Sequence, residues 1–253
     1  MRLFTCFKYF GEHDMLRLRQ MELAEFDPVL VVVEGSNDYV GRDRKPAFPY
    51  PFADNVFYHY GPFDGSDPWD RDWNAWQMLW ELLGRAEPDG DDIVVLSDCD
   101  EIPSPAAIKC FERIDEPHPL FYCLQMPTFY YHLNLRCDQQ IIRKPKIFRW
   151  KDADRIDMTA KDFRLMEHGP AITSGGWHFS YMWRPIADKI AAIAHTEFHD
   201  PEYTDDSKIK DRVDRMVDLF DRPYTYKLLS DWSSLPRCVQ EHPEQFSHLL
   251  RVE

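Results

Sequence analysis

Three carboxylates fall within four positions at the end of one apolar run. Ile93-Val94-Val95-Leu96 leads straight into Ser97-Asp98-Cys99-Asp100-Glu101-Ile102-Pro103. Acids this close repel one another and resist burial, and a hard divalent cation relieves both problems, since Mg2+ and Mn2+ favour carboxylate oxygens. The four apolar residues, three of them β-branched, read as a buried strand. Ligands of open α/β sheets bind in the loops beyond the carboxyl ends of such strands. The triplet is therefore a candidate cation seat, with a phosphate site beside it. The competing reading is that the acids cap the following helix, but Ser104 or Glu101 would do that alone. Asp152-Ala153-Asp154 repeats the spacing without an apolar strand before it and carries no such reading.

Further polar residues cluster at the ends of other apolar runs. Glu34 closes Val29-Leu30-Val31-Val32-Val33 and is followed by Arg42, Arg44 and Lys45 in a loop rich in Gly, Asp and Pro. Guanidinium and ammonium groups suit phosphate oxygens, so these three are candidates to hold a diphosphate, against a reading as solvated loop charges. Glu34 is a candidate to reach a nucleotide base or ribose, or else a hydrogen bond to its own loop. Gly175-Gly176-Trp177-His178 offers close backbone approach, an aromatic platform and an imidazole. His195-Thr196-Glu197-Phe198-His199 sets two histidines four apart, but lacks the His-Glu-x-x-His order of a metalloprotease.

Together these blocks resemble glycosyltransferase family 17, the family of the bisecting β-1,4-N-acetylglucosaminyltransferase. Asp98-Cys99-Asp100-Glu101-Ile102-Pro103 is similar to its Asp-x-Asp-Glu-Ile-Pro signature. Glu34-Gly35-Ser36-Asn37 with Gly41 and Lys45-Pro46 is similar to its Glu-Ser-Asn…Gly…Lys-Pro loop, with Gly35 interrupting the run. Gly176-Trp177-His178-Phe179-Ser180 and Ala194-His195-Thr196-Glu197 follow in the family's order. The resemblance implies a GT-A fold and inverting transfer from a nucleotide sugar, with UDP-N-acetylglucosamine as donor, Mn2+ or Mg2+ as cofactor and a glycan, lipid-linked or protein hydroxyl as acceptor. It implies Asp100 as metal ligand, Asp98 sharing the metal or facing the ribose, and His178 or His195 as a third ligand. Inversion needs a general base. Glu197, Glu167 and Glu101 are the available carboxylates, and Glu197 is favoured because it sits in a family block. Trp177 and Glu101 are assigned to the sugar or acceptor.

The bulk composition sets the frame for these groups. A net charge of −14 weighs against nucleic-acid binding and against docking on anionic membranes. An anionic substrate needs a local cluster of cations to overcome that field. The six cysteines are scattered without a Cys-x-x-Cys pair, which favours reduced, buried thiols and a cytoplasmic protein. The N-terminus is too interrupted for a signal peptide, and no run is long enough to span a membrane.

To bring the candidates together, the chain must fold as α/β. Strands are expected at Leu3–Phe7, Val29–Val33, Val56–Tyr60 and Ile93–Leu96. Helices are expected at about 14–26, Trp69–Leu83 and 104–113, which makes a mainly parallel sheet covered by helices. The tryptophan stripe of the Trp69–Leu83 helix reads as core. A strand-rich middle over 120–150 precedes helices near 185–195 and 207–220, and the proline-dotted segment from Arg222 is expected to wrap the surface. One domain over 1–253 is expected, with a nucleotide-binding half (about 1–115) and an acceptor-side half (about 116–253). The rival readings are a metal-dependent phosphoesterase and a non-catalytic carbohydrate-binding protein.

Overall fold

The structure is a computed structural model that describes residues 1–115, 117–182 and 185–252. The chain begins with β1 (Leu3–Tyr9), α1 (His13–Glu22), β2 (Val29–Gly35), β3 (Val56–Gly61), α2 (Pro68–Arg85) and β4 (Ile93–Leu96). There follow β5 (Glu101–Pro103), α3 (Pro105–Glu112), β6 (Tyr122–Leu124), β7 (Met126–Tyr130), β8 (Leu135–Ile142) and β9 (Lys146–Arg149). The remainder holds α4 (Ala160–Leu165), β10 (Ala171–Ile172), β11 (Gly176–Ser180), α5 (Ile186–Ala192), α6 (Pro201–Thr204), α7 (Asp206–Asp214), β12 (Tyr226–Leu228) and α8 (Arg237–Glu241).

Two sheets result. The larger runs β10-β6-β9-β4-β1-β2-β3, with β1 to β4 mutually parallel and β9 antiparallel to both neighbours. The smaller runs β12-β8-β7-β11-β5 and is antiparallel except where β11 lies parallel to β7. This is the expected α/β architecture with a mainly parallel sheet and a smaller, mostly antiparallel region.

The period-two alternation of a strand explains the layering. Phe4, Cys6, Val31 and Val33 face α2, where Trp76, Leu79 and Leu83 complete one core. Phe7, Leu30 and Val32 point the other way, against Met15, Leu16 and Leu18 of α1. Burial on both faces is why β2 opens on, and β4 consists of, an unbroken apolar run, while β1 is interrupted only by Thr5 and Lys8. Helix α2 starts at Asp67, whose carboxylate accepts from Trp69 N and Asp70 N at 2.8 and 2.9 Å, with Pro68 at the first helical position.

The last segment departs from expectation. Leu235, Val239, Phe246 and Leu249 are buried in the α1-side core beside Phe129 and Phe179. It is core, not wrap, because the α1 face that the large sheet leaves uncovered needs an apolar partner. Helix α7 ends at Asp214, short of the expected 220, where Met216 takes a positive φ of 54°. Among the described residues no helix is long and apolar enough to cross a membrane.

Candidate active site

The order β3-β2-β1-β4 has a reversal in it. From β1 the chain steps outward through β2 and β3, then returns to the opposite edge of β1 for β4. The carboxyl ends of β1 and β4 therefore flank the crevice where a sheet of this kind takes its ligand. A cavity of about 790 Å³ opens there. The end of β1 contributes Lys8, Phe10 and Glu12, and the end of β4 contributes Asp98, Cys99 and Asp100. Trp69, Asp72 and Trp73 enter from α2, Lys161 and Arg164 from α4, His178 and Ser180 from β11, and Lys189 from α5.

The acidic loop is held from beneath by Arg19 of α1, which is wholly buried. Its guanidinium donates to Thr5 Oγ1 (2.5 Å), Ser97 Oγ (2.7 Å) and the carbonyls of Asp98 (2.7 Å) and Glu101 (2.8 Å). Glu101 closes the turn from the other side. One of its oxygens accepts from Asp98 N at 2.7 Å, the other from Arg164 Nη2 at 2.6 Å. The strand beyond, β5, is pressed by β11 at Gly176, where φ is +145° and a Cβ would lie 2.0 Å from Ile102 O.

Among the described residues the cavity wall carries six lysine or arginine side chains against four carboxylates, in a chain whose overall charge is strongly negative. Asp98 lies between Arg164 Nη2 (2.7 Å) and Lys8 Nζ (3.6 Å). Burial pushes its carboxyl up, but the Lys8 and Arg164 charges outweigh that and hold it well below the usual range. Asp100 pairs with Lys189 at 3.0 Å. Burial works against the charge on Lys189, yet Asp100 and Glu12 keep its ammonium above the ordinary lysine value. Lys8 is held the same way by Asp72, Tyr39 and Asp98, and lies 4.4 Å from the Trp76 ring centre. The buried Glu12 carboxyl is raised by desolvation, with Lys189 opposing and Asp100 adding to the shift.

Of the residues singled out from sequence, the structure brings Asp98, Asp100, His178 and His195 to this one cavity. The others lie elsewhere. Glu34 is buried, and its carboxylate accepts from Ala47 N (2.8 Å), Phe48 N (3.0 Å) and Tyr58 Oη (2.8 Å), so its hydrogen bonds serve its own loop. Arg42 is fixed by Asp38 at 2.6 Å and donates to Ala191 O at 3.0 Å, tying that loop to α5. Arg44 lies 3.4 Å from the Phe10 ring centre and donates to Phe10 O, bracing the cavity wall from behind, and Lys45 is exposed. Glu101 holds the acidic loop, and Glu167 is at the surface, 3.9 Å from Lys144.

Trp177 neighbours His178 on β11, so strand alternation sends it to the opposite face. It lines a separate pocket beside α1 and α8, and its indole N–H donates to Ser234 O at 2.7 Å. His178 has its Nδ1 3.2 Å from Thr128 Oγ1. Glu197 does not line the cavity; its carboxylate meets His195 Nδ1 at 2.8 Å, and His199 contacts Ile193 O instead of sharing a ligand with His195. Sequence reasoning missed Lys8, Glu12, Arg164 and Lys189. The α2 stripe read as core holds at Trp76, Leu79 and Leu83, with Trp73 and Trp80 half-buried against them, but Trp73 and Trp76 also line the cavity, where Trp69, outside that stripe, stacks on Trp73 at 5.6 Å.

Among the described residues no three His, Cys, Asp or Glu side chains converge as a closed metal cage. Two carboxylates at one wall are nonetheless the donor set that Mg2+ or Mn2+ takes when phosphates and water complete its shell. Asp98 and Asp100 fit such a cation, and His195, engaged by Glu197, is not gathered with them into a third-ligand set.

The model of glycosyltransferase family 17 matches residues 1–250. No curated protein matches the chain. Among solved structures there are loose likenesses to two nucleotidyltransferases. The Francisella tularensis 2-C-methyl-D-erythritol 4-phosphate cytidylyltransferase has 12% identity and a TM-score of 0.34 over 68% of this chain and 90% of its own. The inositol-1-phosphate CTP transferase from T. maritima has 8% identity and a TM-score of 0.32 over 99% of this chain and 97% of its own. With its acidic loop seated at the sheet's reversal and the family match spanning nearly every residue, the chain belongs to glycosyltransferase family 17.

Proposed function

We propose that the chain is a metal-dependent inverting glycosyltransferase of GT-A type, moving N-acetylglucosamine from its UDP-sugar to a hydroxyl on a glycan, lipid-linked or protein acceptor. The observation that carries this reading is a cation-rich cavity built around Asp98 and Asp100 in a chain of net charge −14. Such a local reversal of charge is what a nucleoside diphosphate requires. Asp98 and Asp100 would hold Mn2+ or Mg2+. When bound, that cation offsets the negative charge that builds on the departing diphosphate. Lys8 and Lys189, now paired with the same carboxylates, would then turn to the phosphate oxygens. The stacked Trp69 and Trp73 give a sugar an apolar face to rest on.

Titration calorimetry of UDP with and without Mn2+ tests this, together with UDP release from UDP-N-acetylglucosamine by the wild type and Asp100→Ala. The expected result is Mn2+-dependent UDP binding, and turnover that Asp100→Ala abolishes without unfolding the protein. Tight zinc retention without UDP binding, or unchanged turnover in the variant, overturns the reading.

A further inference from the structure

We infer that His195 is the base that takes the acceptor's proton and that Glu197 is the residue that positions it; this rests on the transferase reading above. The other acidic groups of the cavity are poorly suited. Asp72 pairs with Lys8, Asp98 with Arg164 and Asp100 with Lys189, so each carboxylate is already engaged by a cation of the cavity wall. Glu12 is deeply buried and already accepts from Phe10 N at 2.7 Å. His195 differs in every respect. It lines the cavity just beyond α5, the helix that carries Lys189, and its side chain is 50% exposed, so a hydroxyl on a bulky acceptor can reach it.

The ring is held from two directions. Its plane stands at 83° to Trp69 with centroids 4.7 Å apart, and its Nδ1 lies 2.8 Å from Glu197 Oε1. The His195 hydrogen bond holds the Glu197 carboxyl below its usual range, so that group is ionised and can only accept. Nδ1 therefore carries the proton, and the lone pair is on Nε2, which has no protein partner among the described residues. This is the geometry in which a carboxylate fixes a histidine's tautomer and then stabilises its protonated form.

In the transfer step the acceptor O–H gives its proton to His195 Nε2. The oxygen's electron pair forms the new bond to the anomeric carbon from the face opposite the diphosphate. The old bond from that carbon to the phosphate oxygen breaks, its pair leaving with UDP. The imidazolium beside Glu197 afterwards returns its proton to water.

The test compares wild type, His195→Ala, Glu197→Gln and Glu197→Asp, measuring UDP affinity with Mn2+ and UDP release from UDP-N-acetylglucosamine with water as the acceptor. His195→Ala is expected to keep UDP affinity, to lose about 100-fold in kcat, and to recover part of it when imidazole is added. Glu197→Gln is expected to lower kcat with KM unchanged, and Glu197→Asp to restore most of the loss. Turnover of His195→Ala close to wild type, or a loss that imidazole does not relieve, overturns the assignment. A wild type that neither binds UDP nor releases it refutes the transferase reading instead.

Discussion

Asp98 is able to sit in a half-closed cavity as an anion because Arg164 and Lys8 meet it there. That arrangement links it to pH. Its folded-state carboxyl is held below the unfolded value of about 3.9, so its stabilisation is full above that value. It is lost as pH falls from there toward the folded value, because the unfolded chain takes up the proton first. Urea midpoints should therefore put Asp98→Asn below wild type at pH 7, with the gap narrowing as pH drops below about 4. A gap that stays constant would mean the pairing with Arg164 contributes nothing. The carboxylates themselves were legible in the sequence, since an apolar strand ending in acids has few other uses. Their partners were not. Arg164 lies 66 residues from Asp98 and Lys189 lies 89 from Asp100, and nothing local in either segment marks it as facing an acid. Trp177 and His178 teach the reverse lesson, for adjacent residues on a strand cannot share a face and the alternation was readable.

Among the elements, β11 matters most for the site although it holds neither aspartate. It joins β7 to β5 in the smaller sheet, presents His178 and Ser180 to the cavity, and presses against the strand that begins with Glu101. Gly176 permits that approach, since a Cβ there would meet Ile102 O at 2.0 Å and Pro103 Cα at 2.8 Å with φ at +145°. Gly176→Ala is expected to cost at least about 2 kcal/mol by urea unfolding. It should also weaken UDP binding, because β5 can yield only by dragging Glu101 from Asp98 N and Arg164. Gly84→Ala serves as the control. A Cβ on that α2 glycine meets nothing within 4 Å, so the change should stabilise by about 0.5–1 kcal/mol. If both glycines tolerate alanine alike, the tight β11–β5 contact is not what holds the loop. Helix α2 was legible as a helix from its caps and period, but not which tryptophans stay open, since that depends on His195 and on Lys161 of α4, which meet Trp69 and Trp73 from far along the chain.

In the whole molecule apolar contact runs across residue 115, where the two halves of the one expected domain, 1–115 and 116–253, meet. One core joins Phe7, Leu16 and Leu18 from the first to Phe129, Phe179, Val239 and Phe246 from the second. Polar bonds follow the same path. Glu22 accepts from Cys238 N at 3.0 Å across 216 positions, and Asp98 accepts from Arg164 Nη2 at 2.7 Å across 66. The cavity likewise takes Lys8 and Asp98 from one half and His178 and Lys189 from the other. A chain built this way has no boundary along which one half could melt alone, so it should unfold in a single transition. Tryptophan fluorescence and far-UV circular dichroism ought then to give coincident urea curves. If UDP and Mn2+ bind in this cavity as proposed, they should move the two curves together, by about 2.7 kcal/mol at a hundredfold excess over Kd. Two resolved transitions, only one of them shifted by UDP, would show instead that the nucleotide side folds and binds without the rest.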